Sequence, residues 1–315
     1  MRNIILLTLL ISSLFSSNIM PIAKYKASGA VIDIVIDNDK LYSATASGIV
    51  DIFDIKTRKI IKKITLPKIK DFMGDDVDPK VFSIDIYKKN ILILSQGQQG
   101  YSKIFLYKNS KLTSIINESD SFAIAKAKFL NKDTLILALL SSEIISYDIH
   151  TKTENWHVQV SGAKFSDFVL SEDKNEVIVA DESGALKICN TNDGKIKKIL
   201  EGENLDNVFQ VDYKNGIIIT AGQDRRCVIY AIKFNSAYYK KSTFLIYSAG
   251  LSPSGKLAGY ASDEDNNITI FDTITQKVIG VYSGNRMTLT NIVFYGEKKF
   301  FSSSDDSTIN LYKIK

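Results

Sequence analysis

The chain has 315 residues, carries a formal net charge of +5, and is 45% hydrophobic and 24% charged. Its 4 prolines and 17 glycines exclude fibrous and Pro/Gly-rich disordered classes, and its apolar content suffices for a large core. The positive charge is small and spread along the chain, which argues against a nucleic-acid partner.

The N-terminus reads as a secretory signal. Arg2 precedes an apolar run at 4–15, broken only by Thr8, Ser12 and Ser13; Ser16, Ser17, Pro21 and Ala23 follow. The run is shorter than the ~20 residues a spanning helix needs, so no stable membrane span is expected. Ser16 and Ser17 suit a cleavage site, but bulky Phe15 stands two positions before Ser17, so a retained anchor stays open beside a cleaved leader. No Cys follows the run, which removes a lipoprotein anchor. The expectation is a signal peptide at 1–23, one monomeric domain at 24–315, and export to a bacterial periplasm. Export permits disulfides, but Cys189 and Cys227 fall at different positions of neighbouring repeats and read as two separate buried thiols.

From residue 31 onward one unit recurs: a short apolar strand, a polar loop, and a second strand ending in an aromatic or Cys. It is seen in LYSATASGIVDIFD (41–54), VIVADESGALKICN (177–190), IIITAGQDRRCVIY (217–230), LAGYASDEDNNITIFD (257–272) and FSSSDDSTINLY (301–312). Four strands per repeat, labelled a to d, are predicted; in the first repeat they fall at 31–36, 40–45, 49–54 and 60–65. First strands are predicted to begin at 31, 81, 123, 165, 208, 244 and 289, so the 258 residues from first to last start hold six periods averaging 43 residues. The sixth first strand is placed at 244–251, and the fifth fourth strand, less clearly defined, at 238–241. That period with four strands is the signature of an all-β, seven-bladed β-propeller of WD40 type. The seventh repeat lacks a fourth strand. Ile22–Ala27 has no partner of its own and is expected to close the ring there.

The repeats resemble those of WD40 proteins over nearly all of 24–315. Phe53-Asp54, Tyr147-Asp148 and Phe271-Asp272 stand at the Trp-Asp position, with Tyr312-Lys313 there in the last repeat. No repeat has Trp-Asp itself, the one tryptophan is Trp156 on a fourth strand, and the Gly-His pair before the first strand is absent. Blade cohesion is therefore expected to rest on strand pairing and apolar packing.

The search for chemistry assigns no catalytic residue, metal ligand or cofactor. His150 and His157 are the only histidines, no Cys/His cluster has metal spacing, and GxSxG and CxxCH are missing. Gly97-Gln98-Gln99-Gly100 is a hairpin tip with no helix after it. Asp33, Asp85, Asp167, Asp212 and Asn291 fall on first strands, where they either line a wet channel or hold an axial calcium ion, as in some propeller hydrolases.

The loops sort by rim. The d–a and b–c loops, called the top, collect 74–78, Gln96 to Tyr101, Gln223-Asp224-Arg225-Arg226, 263–265, Arg286 and Asp305-Asp306. The opposite rim is rich in lysine: Lys40, Lys56, Lys59, Lys88, Lys89, Lys132 and Lys174. Arg favours interfaces and exposed Lys mostly solvates. The top rim is therefore the expected partner surface, with Arg225, Arg226, Gln223 and Tyr101 near its centre. The d–a loop at 67–79 is longer than the others and holds Phe72 and Met73, which either present themselves to a partner or tuck back onto the propeller.

With the N-terminal signal and the degenerate repeats, Thr220-Ala221-Gly222-Gln223-Asp224-Arg225-Arg226 and Ser303-Ser304-Asp305-Asp306 resemble the NapL-type accessory proteins of periplasmic nitrate reductase systems. The resemblance implies a non-enzymatic scaffold that binds a component of that reductase during its maturation, assembly or electron supply. Two other classes stay open: an axial-metal propeller hydrolase, and an envelope assembly factor that takes a client strand on an exposed edge.

Overall fold

A computed structural model describes residues 18–315. The apolar run at 4–15 lies outside the described residues. Seven four-stranded antiparallel sheets form a seven-bladed propeller. Blade 1 comprises Val31–Asp37, Lys40–Thr45, Ile49–Asp54 and Ile60–Thr65. The other first strands are Val81–Tyr87, Ile124–Phe129, Phe165–Leu170, Val208–Lys214, Ala249–Leu251 and Leu289–Phe294. First strands of neighbouring blades touch one another around the axis. Second strands such as Lys40–Thr45 and Glu176–Asp181 are buried almost throughout, while fourth strands such as Thr153–Gln159 and Ile196–Leu200 are largely exposed. Burial thus falls from the second strand outward, and the apolar clusters lie between neighbouring blades. One joins Tyr42, Ala44 and Val50 of blade 1 to Val81, Ile84 and Ile93 of blade 2.

Two strands differ from expectation. The sixth first strand is only Ala249–Leu251, because upstream of it Ile246 donates its N–H to Gly222 of blade 5 (3.3 Å) and Tyr247 stacks on Phe209. The fifth fourth strand is longer, Ser236–Lys241, and follows a short 3-10 turn at Ile232–Phe234.

The ring closes as its seam requires. Ala23–Lys26 pairs antiparallel with Thr308–Lys313, with Ala23 opposite Leu311 and Lys26 opposite Thr308. The N–H groups of Ile22 and Ala27 extend the ladder to Leu311 and Ser307, each at 2.8 Å. Tyr25 is the buried centre of the seam. Its hydroxyl donates to the Ile55 carbonyl of blade 1 (2.7 Å), and its ring meets Phe53 and Phe301 edge-on. Upstream, Ile19 exchanges backbone hydrogen bonds with Val281 and Ser283 of blade 6. Ile19, Ile22 and Ala23, which the sequence pattern places in the signal segment, thus take part in backbone pairing with the propeller.

The aromatic-Asp dipeptides have a local reason. Phe53, Tyr147 and Phe271 are buried between blades. The carboxylate that follows caps the c–d turn: Asp54 accepts the Thr57 N–H (2.7 Å), Asp148 those of His150 and Thr151 (both 2.8 Å), and Asp272 those of Ile274 and Thr275. Asn190 does the same for Asn192 (2.8 Å) in blade 4.

Cohesion does not rest on strand pairing and apolar packing alone, contrary to the expectation from sequence. Four blades carry a buried polar network between the loop that enters the blade and its inner strands. In blade 7, Asn285 accepts from Ser302 (2.6 Å) and Asn310 (2.9 Å). In blade 5, Asn204 accepts from Thr220 (2.8 Å) and donates to Tyr230 (3.0 Å). In blade 1, Asp51 accepts from the N–H and hydroxyl of Ser28. In blade 4, Lys187 pairs with fully buried Asp181 and also reaches Ser183 and Ser161. Gly284-Asn285 and Asn204 stand in the entering loop, so the missing Gly-His pair is replaced by other donors and acceptors.

Two tests follow from these contacts. Tyr25→Ala removes a buried ring and its hydroxyl, so unfolding free energy measured by denaturant titration should fall by about 3–5 kcal/mol. For the blade 4 pair, burial alone raises the Asp181 carboxyl, but hydrogen bonds from Lys187 and Ser183 outweigh it and hold it below the usual range. A depressed folded-state value means this stability is complete above about pH 4 and is lost as pH falls through the folded value. Asp181→Asn should therefore flatten the acid limb of the stability curve. Lys187→Met alone should cost about 3–5 kcal/mol by stranding a buried carboxylate, and adding Asp181→Leu should recover part of it.

Candidate functional site

The most organised polar site is the axis. Six of the seven first strands carry a β-bulge at one register position, directly before Asp33, Ser83, Lys126, Asp167, Gln210 and Asn291. In these strands side chains two residues apart share a face. The second level on that face includes Asp85, Lys128, Val169, Asp212 and Val293.

The axial carboxylates proposed as channel lining or metal ligands have a shared task. Asp33 accepts the N–H of Ile84 in the next blade (3.0 Å), Asp85 that of Phe129 (2.8 Å), Asp167 that of Val211 (3.0 Å), and Asp212 that of Leu251 (2.9 Å). Asn291 donates to the Ile32 carbonyl (3.0 Å) and so links blade 7 to blade 1. Between blades 3 and 4 the link is Lys126 to Asp167, at 2.5 Å. Burial disfavours the Lys126 ammonium, but Asp167, and beyond it Asp33 and Asp212, outweigh this and hold it charged above the usual lysine range. At the blade 6–7 junction the inner strands approach without a side chain: a Cβ on Gly250 would lie 2.2 Å from the Ile292 carbonyl. Gln210 spans this region, accepting from Ser248 (2.7 Å) and Ala249 (3.1 Å) and donating to Thr290 (3.3 Å). Among the described residues, no three His, Cys, Asp or Glu side chains are grouped to hold a metal.

A cavity of about 420 Å³ occupies this axis. It is lined by residues of the a–b turns such as Ser171, Lys174 and Pro253, so it reaches the rim opposite the top. The sequence reading missed Lys126, Lys128 and Gln210 as axial residues. The available signal was the alternation Ala125-Lys126-Ala127-Lys128, which puts two lysines on one face of an innermost strand.

The top-rim residues do not form one cluster. Tyr101 lies on the b–c loop of blade 2, half-buried, and Gln223, Asp224, Arg225 and Arg226 lie on that of blade 5, with blades 3 and 4 between. Asp305 and Asp306 belong to blade 7. Asp224 and Arg226 serve the loop itself. Asp224 accepts from Leu205 (2.8 Å) and Arg226 (3.0 Å); Arg226 donates to the Glu203 carbonyl (2.8 Å) and stacks on Tyr239 (4.3 Å). Asp306 accepts the Thr308 N–H (2.6 Å). Gln223, Arg225 and Asp305 are exposed.

Phe72 and Met73 do not tuck back. Ile69–Lys70 and Asp76–Val77 form a small hairpin between blades 1 and 2. Buried Ile69 anchors its base, and Lys70 pairs with Asp76 (2.8 Å). Asp71 accepts the N–H groups of Met73 and Asp75, both at 2.9 Å, and Gly74 turns the tip at φ +89°. Phe72 and Met73 are 101% and 82% exposed at that tip.

The remaining candidates lie elsewhere. His150 pairs with Asp133 (2.8 Å), and His157 with Glu143 and Glu154 (both 3.1 Å), on the exposed side of blade 3. Cys189 and Cys227 are free, separate and buried; burial pushes the Cys189 thiol up to about 11 and raises Cys227 as well. No described helix is long and apolar enough to cross a membrane. No family model matches the chain, and a search of curated proteins finds no match.

Gly250→Ala tests the close approach at the axis. The contact is with backbone rather than a flexible side chain, so blades 6 and 7 must separate. A loss of about 1–3 kcal/mol or more is expected in thermal or denaturant unfolding. Gly162→Ala, with open space around it, should leave stability unchanged.

Proposed function

We propose that this protein is a non-enzymatic, exported scaffold that docks a protein partner on its top rim. The observation that supports this reading best is the hairpin at 69–77, a pre-ordered loop that holds two large apolar side chains in solvent. Fully exposed apolar groups on a rigid element mark interaction sites, and a loop already fixed by its own hydrogen bonds loses little entropy on docking. Arg225 and Gln223, exposed on the same rim of blade 5, add polar contacts. The N-terminal signal pattern directs the partner to the periplasm. The resemblance of 220–226 and 303–306 to NapL-type proteins directs it to a component of a periplasmic nitrate reductase system.

The strand-addition reading required an unpaired edge on the last blade, and Ala23–Lys26 occupies that position. In the hydrolase reading the axial carboxylates hold an ion; each of the four aspartates accepts one N–H of a neighbouring blade, and metal analysis of the purified protein separates that reading from the scaffold.

A pull-down from periplasmic extract tests the proposal with a Phe72→Ser/Met73→Ser variant and, separately, Arg225→Glu. Arg226 is left intact because its guanidinium supports the loop. Capture of a specific partner should fall about tenfold or more in the hairpin variant, with unfolding unchanged. The same partners at the same yield in both variants would overturn the top-rim assignment.

A further inference from the structure

The axial cavity holds a feature that the scaffold reading does not use. Its carboxylates are engaged by neighbouring backbone, and its four ammonium groups differ in how closely a carboxylate approaches them. Lys126 pairs with Asp167, and Lys214 lies 3.4 Å from Asp212. Lys128 donates to the Ile84 carbonyl (2.8 Å) and stands 3.8 Å from Asp85. The Lys174 ammonium donates to the Phe129 carbonyl (2.6 Å), its one hydrogen bond among the described residues, and lies over the Tyr87 ring at 5.3 Å. An ammonium has three donors, so each of these two retains capacity for an anion. Burial lowers Lys174 below the usual lysine range; Asp85 opposes this and Lys128 adds to it, which places both lysines and one carboxylate in one neighbourhood. Glu172, also at the cavity, is exposed and accepts the Asn215 N–H (2.7 Å). Beside Asp167, Ser171, Glu172 and Asn291, the lining from blades 4 and 7 includes two apolar side chains on the axial face, Val169 and Val293.

We infer that the axial cavity binds a small organic anion, its charged end between Lys128 and Lys174 and its apolar body against Val169 and Val293. Carboxylate and phosphoryl ends share the chemistry that two lysine point charges recognise. The volume suits a small ligand and is of the size that ligand sites occupy. The site lies on the axis and opens away from the top rim, so it stands or falls independently of the partner surface.

Calorimetric titration of the full mature protein decides it, with four probes: hexanoate, acetate, inorganic phosphate and hexylammonium. Hexanoate should saturate a single site and bind at least about tenfold more tightly than acetate, since its extra methylenes reach Val169 and Val293. Hexylammonium should not bind. Lys174→Gln and Lys128→Gln should each weaken hexanoate about tenfold, whereas Lys132→Gln, an exposed lysine of the same rim, should not. Phosphate binding tighter than acetate, and lost in the same variants, would support the site and assign a phosphoryl end. The inference is overturned if hexanoate does not bind up to about 10 mM. Equal binding of hexylammonium, or unchanged hexanoate affinity in both lysine variants, would overturn it too. Circular dichroism checks each fold; Lys174 sits in a turn, so its variant carries the test if Lys128→Gln misfolds.

Discussion

The structure depends on how the inner edge of each blade is satisfied. A first strand pairs with its own second strand on one side only. Its other edge carries N–H groups that face the preceding blade, and such a group left buried and unpaired costs about 1–3 kcal/mol. Four aspartates answer this directly, each accepting an N–H from the following blade. One bond thereby satisfies a buried donor and sets the spacing of two sheets. A carboxylate suits the task because charge-assisted acceptance is stronger than that of a neutral amide. The cost of holding such charges near the axis is offset by the lysines among them, Lys126 above all.

This arrangement explains both what was legible in the sequence and what was not. Strand periodicity, the 43-residue period and the orphan Ile22–Ala27 segment depend on local pattern, and the blades and the closing strand follow from them. The Asp residues of the first strands were equally visible, but their partners were not. The donor of each bond is a backbone amide, which leaves no trace in residue identity. Only the separations hint at it: Asp33 to Ile84, Asp85 to Phe129, Asp167 to Val211 and Asp212 to Leu251 lie 51, 44, 44 and 39 residues apart, each close to one repeat. The rim was less legible still. Asp224 and Arg226 look like free surface charges in a loop of polar residues, and only their contacts with Leu205, Glu203 and Tyr239 show that they hold the loop together. Solvated and folded-in charges have the same composition.

The blade networks carry a related lesson. A degenerate repeat loses a motif without losing the position the motif served. Asn285 and Asn204 stand in loops entering a blade and bind a hydroxyl on the second strand, Ser302 or Thr220, and a polar group on the third, Asn310 or Tyr230. Asn204 accepts from one hydroxyl and donates to another, whereas Asn285 accepts from both of its partners through one oxygen. Blade 4 reaches the same end with an ion pair, at a greater desolvation cost and with more hydrogen bonds to offset it.

A ring held at its axis, its blade roots and its seam leaves its loops free of structural duty on one condition: they must not also supply the contacts that close the ring. The hairpin at 69–77 meets that condition. Its hydrogen bonds are internal, a side chain at its tip glycine would meet nothing within 4 Å, and only Ile69 at its base is buried. Asp224 and Arg226 are instead engaged in their own blade, through Leu205, Glu203 and Tyr239. The lysines at the opposite mouth are intermediate. Lys128 lies on an innermost strand and links blade 3 to blade 2, while Lys174 lies in a turn with a single carbonyl partner. Side chains with unfilled donors next to a rigid frame are where such a fold can hold recognition groups at little cost to its closure. Among the described residues Lys128 and Lys174 meet that criterion at the opposite mouth, while the hairpin at 69–77 presents apolar side chains rather than donors on the top rim.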